Sequence, residues 1–132
     1  MKIVFTNGCF DVVHRGHIEL FKFAKNKGDF LVVGIDSDSR VKKTKGKSRP
    51  INNQEDRKFL LESIEHIDKV VIFNNDHELE TLINLHKTDF LVIGSDYKDK
   101  RVVGHEYAKE LIFFERINGF SSTKIIQNFI DW

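Results

Sequence analysis

Residues 2–17 read Lys-Ile-Val-Phe-Thr-Asn-Gly-Cys-Phe-Asp-Val-Val-His-Arg-Gly-His, and this stretch decides the fold. The apolar run at 2–6 predicts a buried strand, and the segment 7–11 predicts a tight turn out of it. Downstream, apolar residues at helical spacing from Ile18 to Ala24 predict a helix, with Gly28 as its C-terminal cap. His14 and His17 therefore lie where a helix begins, at the carboxyl end of a first strand.

This position gives the two histidines a possible chemical role. A helix start presents free backbone N–H groups and a partial positive charge, so it attracts phosphate. The imidazoles of His14 and His17 can donate hydrogen bonds to phosphoryl oxygens and offset charge that grows in a transition state. A simpler interpretation is that one histidine caps the helix and the other is partly buried. On the motif alone both interpretations stay open.

The rest of the chain alternates between apolar strands and amphipathic helices. Further strands are predicted at 30–35, 69–73, 90–94 and 111–114, and helices are predicted to begin near 53, 76 and 122. The helix that begins near 53 is expected to bury Leu60, Leu61 and Ile64. Strands without polar alternation, separated by helices, indicate a parallel sheet covered on both faces. We therefore predict a Rossmann-like, doubly wound α/β fold with about five strands, in a single domain over 1–132.

Composition narrows the classes of partner. The 132 residues are 40% hydrophobic and 31% charged, with a net charge of +1, as in an ordinary globular protein. A net charge this small creates no strong electrostatic attraction to nucleic acid or to a membrane surface, so neither is expected as a partner. Cys9 is the only cysteine, which excludes an internal disulfide and fits a reducing, cytoplasmic location.

The predicted strand ends carry polar segments, and ligands bind there in doubly wound sheets. Six of the ten residues at 40–49 are basic, and we predict a loop for this segment. Taken alone, this segment is best interpreted as a solvated loop. Because it follows a strand end, it can also fold over the ligand crevice next to His14 and His17, where its cations would hold a triphosphate. Residues 116–123 predict either a capped turn or a second phosphate-binding helix start. Asp96 is expected to bind a ribose hydroxyl, bind a metal or cap a turn.

Two of these segments resemble signatures of the cytidylyltransferase family of small nucleotidyltransferases. Residues 8–17 match its G-x-F-D-x-x-H-x-G-H signature, and residues 116–123 match its R-x-x-G-x-S-[ST]-[ST] signature. The resemblance implies transfer of a nucleoside monophosphate from an NTP to a phosphomonoester, with Mg²⁺ and release of pyrophosphate. It also implies a homodimer and an activated precursor of cell-surface polysaccharide as product.

The resemblance also implies roles for individual residues. The residues implied at the reacting phosphates are His14, His17, Lys45 and Arg116. The implied nucleotide-binding positions are Gly8, Cys9, Phe10, Gly16, Lys47, Asp96, Ser121, Ser122 and Thr123. The implied acceptor-binding residues are Asp11 and Arg57.

Two branches of the family compete for this chain. Arg116 is similar to the glycerol-3-phosphate cytidylyltransferase branch and slightly favours CTP. Residues 45–52, 94–98 and 103–106 are similar to the branch that activates heptose 1-phosphate with ATP. A non-catalytic nucleotide- or RNA-binding module is the alternative from another class, and the intact His14 and His17 pair argues against it.

Overall fold

The computed structural model describes residues 1–95 and 100–115. Its helices and strands are, in chain order, β1 (Ile3–Gly8), α1 (Arg15–Lys25), β2 (Phe30–Asp36), α2 (Asp38–Lys45), α3 (Gln54–Glu62), β3 (Lys69–Phe73), α4 (Asp76–Leu85), β4 (Phe90–Gly94) and β5 (Glu110–Phe114). A 3-10 helix at His105–Tyr107 precedes β5. The helix predicted to begin at Ser121 or Ser122 lies outside the described residues. Within the described ranges, no helix is long and apolar enough to cross a membrane.

The five strands form one parallel sheet in the order β3-β2-β1-β4-β5. The chain first adds strands on one side of β1 and then returns to add β4 and β5 on the other side. Strand order therefore reverses between β1 and β4, and a crevice at their carboxyl ends is the expected ligand site. The predicted Rossmann-like, five-stranded fold is confirmed.

Alternate residues of each strand point to opposite faces of the sheet, and this places a core on both sides. Val4 belongs to the core under α1 and α3, together with Phe21 and Leu61. Its neighbour Phe5 belongs to the other core, which Leu79 of α4 covers. Burial on both faces explains why the strands are uniformly apolar in sequence.

The prediction of a loop at 40–49 was wrong for residues 40–45, because residues 38–45 form α2, and it holds for residues 46–49. The Ser37 hydroxyl caps this helix and accepts the N–H of Arg40 at 3.3 Å. Val41 is the buried residue of the helix, and the lysines of its last turn lie where the helix dipole favours cations. The helix has almost no apolar stripe, so hydrophobic periodicity did not reveal it.

Gly28 is not the cap of α1, because the helix ends at Lys25 and Asn26 is its C-cap residue. A Cβ atom at Gly28 would lie 2.7 Å from Cγ2 of Val4 and 2.8 Å from the carbonyl oxygen of Lys2. Glycine is therefore required there for the close approach of the turn to β1.

The buried face of α3 also differs from the prediction. Leu61 is buried and Ile64 packs against the core, but Leu60 is 48% exposed. The third buried position on this face, one turn before Leu61, belongs to Arg57. A charged residue therefore takes the place that an apolar residue was expected to take.

Candidate active site

The two histidines cap the helix in which they lie. Nδ1 of His14 accepts the N–H of Gly16 at 3.0 Å, and Nδ1 of His17 accepts the N–H of His14 at 3.3 Å. Each bond requires an unprotonated Nδ1, so the proton of each neutral ring lies on Nε2. The capping interpretation of His14 therefore holds, and it is compatible with the chemical one. The caps fix the tautomer in which Nε2–H is the donor.

Packing holds the two rings in place. The rings of His14 and His17 stack with centroids 3.8 Å apart at an interplanar angle of 21°. The ring of Phe10 packs edge-on against those of His17 and Phe21, with centroid separations of 5.1 Å and 5.0 Å. The φ angle of Phe10 is +50°, a left-handed conformation that a bulky residue rarely adopts and that surrounding contacts must hold. The side chain of Phe10 is buried under His17, and its nucleotide-binding role stays a prediction.

A crevice of about 240 Å³ opens at the carboxyl edge of the sheet. Asn7, Gly8 and Cys9 line it at the end of β1, and Gly94 lines it at the end of β4. Its cationic lining residues are Arg40, Lys45 and Arg101. Gly8, Cys9 and Lys45 were predicted from the sequence. Arg101 was missed because it stands alone in a connection without a motif.

The crevice also holds a partly buried carboxylate. Asp36 accepts a hydrogen bond from Nε of Arg40 at 3.0 Å, and Nη2 of Arg40 donates to Asp76 at 2.7 Å. Burial raises the pKa of the Asp36 carboxyl, and the nearby cations Arg40 and Lys45 oppose this rise. Arg40 therefore ties α2 to the start of α4, and Lys45 remains on the crevice wall at the end of α2.

Burial raises the pKa of the Cys9 thiol as well, and the opposing effect of Lys45 and Arg57 is smaller. A raised pKa keeps the sulfur protonated near neutral pH, and a thiol is a poor nucleophile. Cys9 therefore contributes to the shape of the crevice, and its carbonyl oxygen accepts a hydrogen bond from Arg57 at 3.0 Å.

Asp11 fixes the connection that follows α2. Its carboxylate accepts hydrogen bonds from the N–H groups of Ile51 and Asn52, each at 2.8 Å, and from Nε of Arg49 at 3.0 Å. The Asn52 side chain returns a hydrogen bond to the carbonyl oxygen of Asp11 at 2.7 Å. Both carboxylate oxygens are thus engaged within the protein, and the predicted acceptor contact of Asp11 stays a prediction.

Arg57 is buried below the site. Its Nη1 donates to the carbonyl oxygens of Cys9 and Asp36, its Nε to that of Asn52, and its Nη2 to the carboxylate of Asp38 at 2.9 Å. Three separate segments are therefore joined by one guanidinium. The side chain is fully buried, so the predicted contact with the acceptor would require these bonds to rearrange.

The remaining predicted residues fall into two groups. Gly16 is buried in the first turn of α1, and Lys47 is exposed after α2. The other predicted residues lie outside the described ranges: Asp96, Arg116, Ser121, Ser122 and Thr123. Within residues 1–95 and 100–115, no three histidine, cysteine or acidic side chains are grouped as a metal site would need.

Comparison with known proteins gives the class. The family model for cytidylyltransferase-like proteins matches residues 5–128, so the chain belongs to the cytidylyltransferase-like family of nucleotidyltransferases. The bifunctional protein HldE of Nitratiruptor sp. is 51% identical over 126 residues, which cover 96% of this chain and 27% of that protein. HldE of Campylobacter jejuni subsp. doylei is 53% identical over 132 residues, which cover 98% of this chain and 28% of that protein. The chain therefore spans roughly a quarter of the length of these curated relatives.

A solved structure has the same fold. The lipopolysaccharide core biosynthesis protein from Thermoplasma volcanium superposes with a TM-score of 0.72 at 23% identity. The match covers 89% of this chain and 99% of that chain. At this identity the likeness establishes the architecture, and the family rests on the sequence matches.

Proposed function

We propose that this chain transfers a nucleoside monophosphate from an NTP to a sugar- or polyol-phosphate. An oxygen of the acceptor phosphate attacks the α-phosphorus, and the bond from that phosphorus to the bridging oxygen breaks. Pyrophosphate leaves with the electron pair of that bond. No covalent intermediate on the protein is needed, so positioning and electrostatics supply the catalysis.

The observation that carries this proposal is the fixed tautomer of the histidine pair. His14 and His17 each accept a backbone N–H at Nδ1, so the proton of each neutral ring lies on Nε2, the nitrogen that we propose donates to a phosphoryl oxygen. Charge that develops on the α-phosphate is offset best by donors that need no reorientation during the reaction. The two histidine rings stack on each other, and Phe10 contacts His17 edge-on. These contacts limit reorientation of the rings.

The cations of the crevice support a triphosphate as the other half of the reaction. Lys45 lies on the crevice wall, and Arg101 faces the same space from the connection between β4 and β5. Their charges favour the β- and γ-phosphates and stabilise the pyrophosphate that leaves. Mg²⁺ belongs to this proposal as part of the substrate, because a magnesium ion usually binds through substrate phosphates and few protein ligands.

Two pairs of substrates are candidates. ATP with heptose 1-phosphate is favoured by residues 45–52, which resemble that branch and which Asp11 ties to the turn after β1. CTP with glycerol 3-phosphate is favoured by Arg116, which lies outside the described residues. With either pair the product is an activated precursor of cell-surface polysaccharide. The homodimer and the cytoplasmic location stay predictions.

The decisive experiment measures pyrophosphate release by the purified protein with Mg²⁺. ATP and CTP are each combined with heptose 1-phosphate and with glycerol 3-phosphate, which gives four mixtures. Turnover in one mixture identifies the nucleotide and the acceptor together. Binding of a triphosphate without turnover in any mixture would contradict the transferase and favour the binding module.

A further inference from the structure

Arg49 combines burial with incomplete hydrogen bonding. Its side chain is nine-tenths buried, and its Nε donates to the carboxylate of Asp11 at 3.0 Å. Nη2 is buried and has no hydrogen-bond acceptor within the part of the chain that the structure describes. The backbone N–H of Arg49 donates to the carbonyl oxygen of Gly46 at 3.2 Å, so the residue itself is held in place.

A buried cationic N–H group without an acceptor weakens folding, and proteins rarely retain one without a reason. One such reason is a ligand that supplies the acceptor. An oxyanion fits best, because the Nη1–Nη2 edge of a guanidinium matches two oxygens of a phosphate. Nε of Arg49 already donates to Asp11, so the ligand would bind at the opposite edge of the guanidinium, which Nη1 and Nη2 form.

The neighbouring charged residues do not share this property. Arg57 donates four hydrogen bonds to protein oxygens, and both carboxylate oxygens of Asp11 accept bonds from the chain. Arg49 therefore differs from Asp11 and Arg57, the two residues for which the family resemblance implies contact with the acceptor. Among these three, it has the donor capacity that remains for an anion.

The position of Arg49 suits the acceptor. Asp11 stands three residues before His14 in the turn after β1, so their Cα atoms are at most about 11 Å apart. The guanidinium is bonded directly to Asp11 and thus lies next to the turn that carries the histidine pair. A phosphate at this edge would therefore lie beside the turn that leads into α1 and its histidine pair.

We infer that Arg49 binds the phosphate of the acceptor through the Nη1–Nη2 edge of its guanidinium. This inference rests on the proposed function and names the group that orients its nucleophile. Asp11 is then a positioning residue, because it holds the guanidinium and the backbone of Ile51 and Asn52 together.

The test compares Arg49→Met and Arg49→Lys with the wild type. Lys22→Met, on the exposed side of α1, is the control for the loss of one positive charge. Arg49→Met is expected to raise the KM of the active acceptor by about 10- to 100-fold, as loss of a charge-assisted contact implies. The affinity for the triphosphate is expected to change by less than about twofold, and Lys22→Met to match the wild type. An unchanged acceptor KM in a folded Arg49→Met would overturn the inference.

A second readout does not depend on turnover. The rise in Tm on adding inorganic phosphate is measured with the nucleotide site saturated by an α,β-methylene NTP analogue. Arg49→Lys keeps the ion pair with Asp11 but loses the fork, so its unliganded Tm stays near the wild type while the phosphate-induced rise falls below about half. A full rise in Arg49→Lys would show a purely structural arginine. If the wild type shows the rise but no turnover, the proposed transfer fails while the anion site stands.

Discussion

The two edges of the sheet treat their polar groups in opposite ways. At the amino edge, three aspartates cap the strands by accepting backbone N–H groups, and each bond is 2.8 Å long. These bonds join Asp29 to Lys2, Asp68 to Leu31 and Asp89 to Ile3. The carboxylates supply acceptors where the ladders begin, so this edge is satisfied by the chain itself.

At the carboxyl edge, several buried polar atoms of side chains have no hydrogen-bond partner within the described residues, so they could bind a ligand. The Oγ1 atom of Thr6, Oδ1 of Asn7 and Nη2 of Arg49 are buried without a hydrogen-bond partner in the described part of the chain. Phe10 holds a positive φ angle in the same region. Polar groups are thus hydrogen-bonded within the chain at the amino edge, whereas the carboxyl edge has unpaired polar atoms and a strained backbone residue. Such a division is expected where one edge maintains the fold and the other binds a ligand.

The largest expected effect comes from Arg57, which belongs to the carboxyl edge but is satisfied like the amino edge. Arg57→Met leaves three carbonyl oxygens and the Asp38 carboxylate without their donor, and we expect a loss of about 3–5 kcal/mol in the free energy of unfolding. Urea denaturation measures this loss. Arg57→Lys serves as the milder variant if Arg57→Met does not fold. Normal stability with a raised acceptor KM would instead support the acceptor role that the sequence predicted.

The next largest effect separates capping from catalysis at His17. Both His17→Ala and His17→Gln lose the imidazole ring with its Nε2–H donor, and we expect kcat to fall by about 10²–10³ in each. Glutamine at this position of a capping box can still accept the N–H of His14, whereas alanine cannot. His17→Ala should therefore also lose about 1 kcal/mol of stability, measured by thermal unfolding. Wild-type turnover in His17→Gln would contradict the proposed role of the ring.

Much of the fold could be predicted from the sequence, and the features that were missed have a common cause. Apolar runs and helix caps predicted the five strands and three of the four described helices. The helix α2 was missed because Val41 is its only buried anchor within a charged segment. The burial of Arg49 and Arg57 was missed because their partners are distant in sequence; Asp11, for example, lies 38 residues from Arg49. Local patterns record spacing and polarity, and they do not record which distant carbonyl or carboxylate will satisfy a cation.

A moderate effect is expected at the amino edge. Asp68 accepts the N–H of Leu31 and pairs with Lys25, so Asp68→Ala should lower the free energy of unfolding by about 1.5–3 kcal/mol. Asp29→Ala is the matched control, because Asp29 makes the same bond to Lys2 at an exposed position, where such contacts contribute about 1 kcal/mol or less. Urea midpoints measure both, and kcat should stay at the wild-type value. Equal losses in the two variants would show that burial does not set the strength of this edge.

The smallest effect is a pH dependence at Asp89. The N–H of Ile3 and the ammonium of Lys109 both stabilise the carboxylate and lower its pKa below the ordinary value. A lowered pKa in the folded state means that the stabilisation is complete above the unfolded pKa of about 3.9 and is lost as the pH falls through the folded value. Asp89→Asn should therefore be less stable than the wild type at pH 7, and the difference should shrink below about pH 4. Urea midpoints at pH 7, 5, 4 and 3 measure this trend. A difference that stays constant over that range would mean that Asp89 acts through shape and hydrogen bonding alone, and that its charge contributes nothing to the stability of the amino edge.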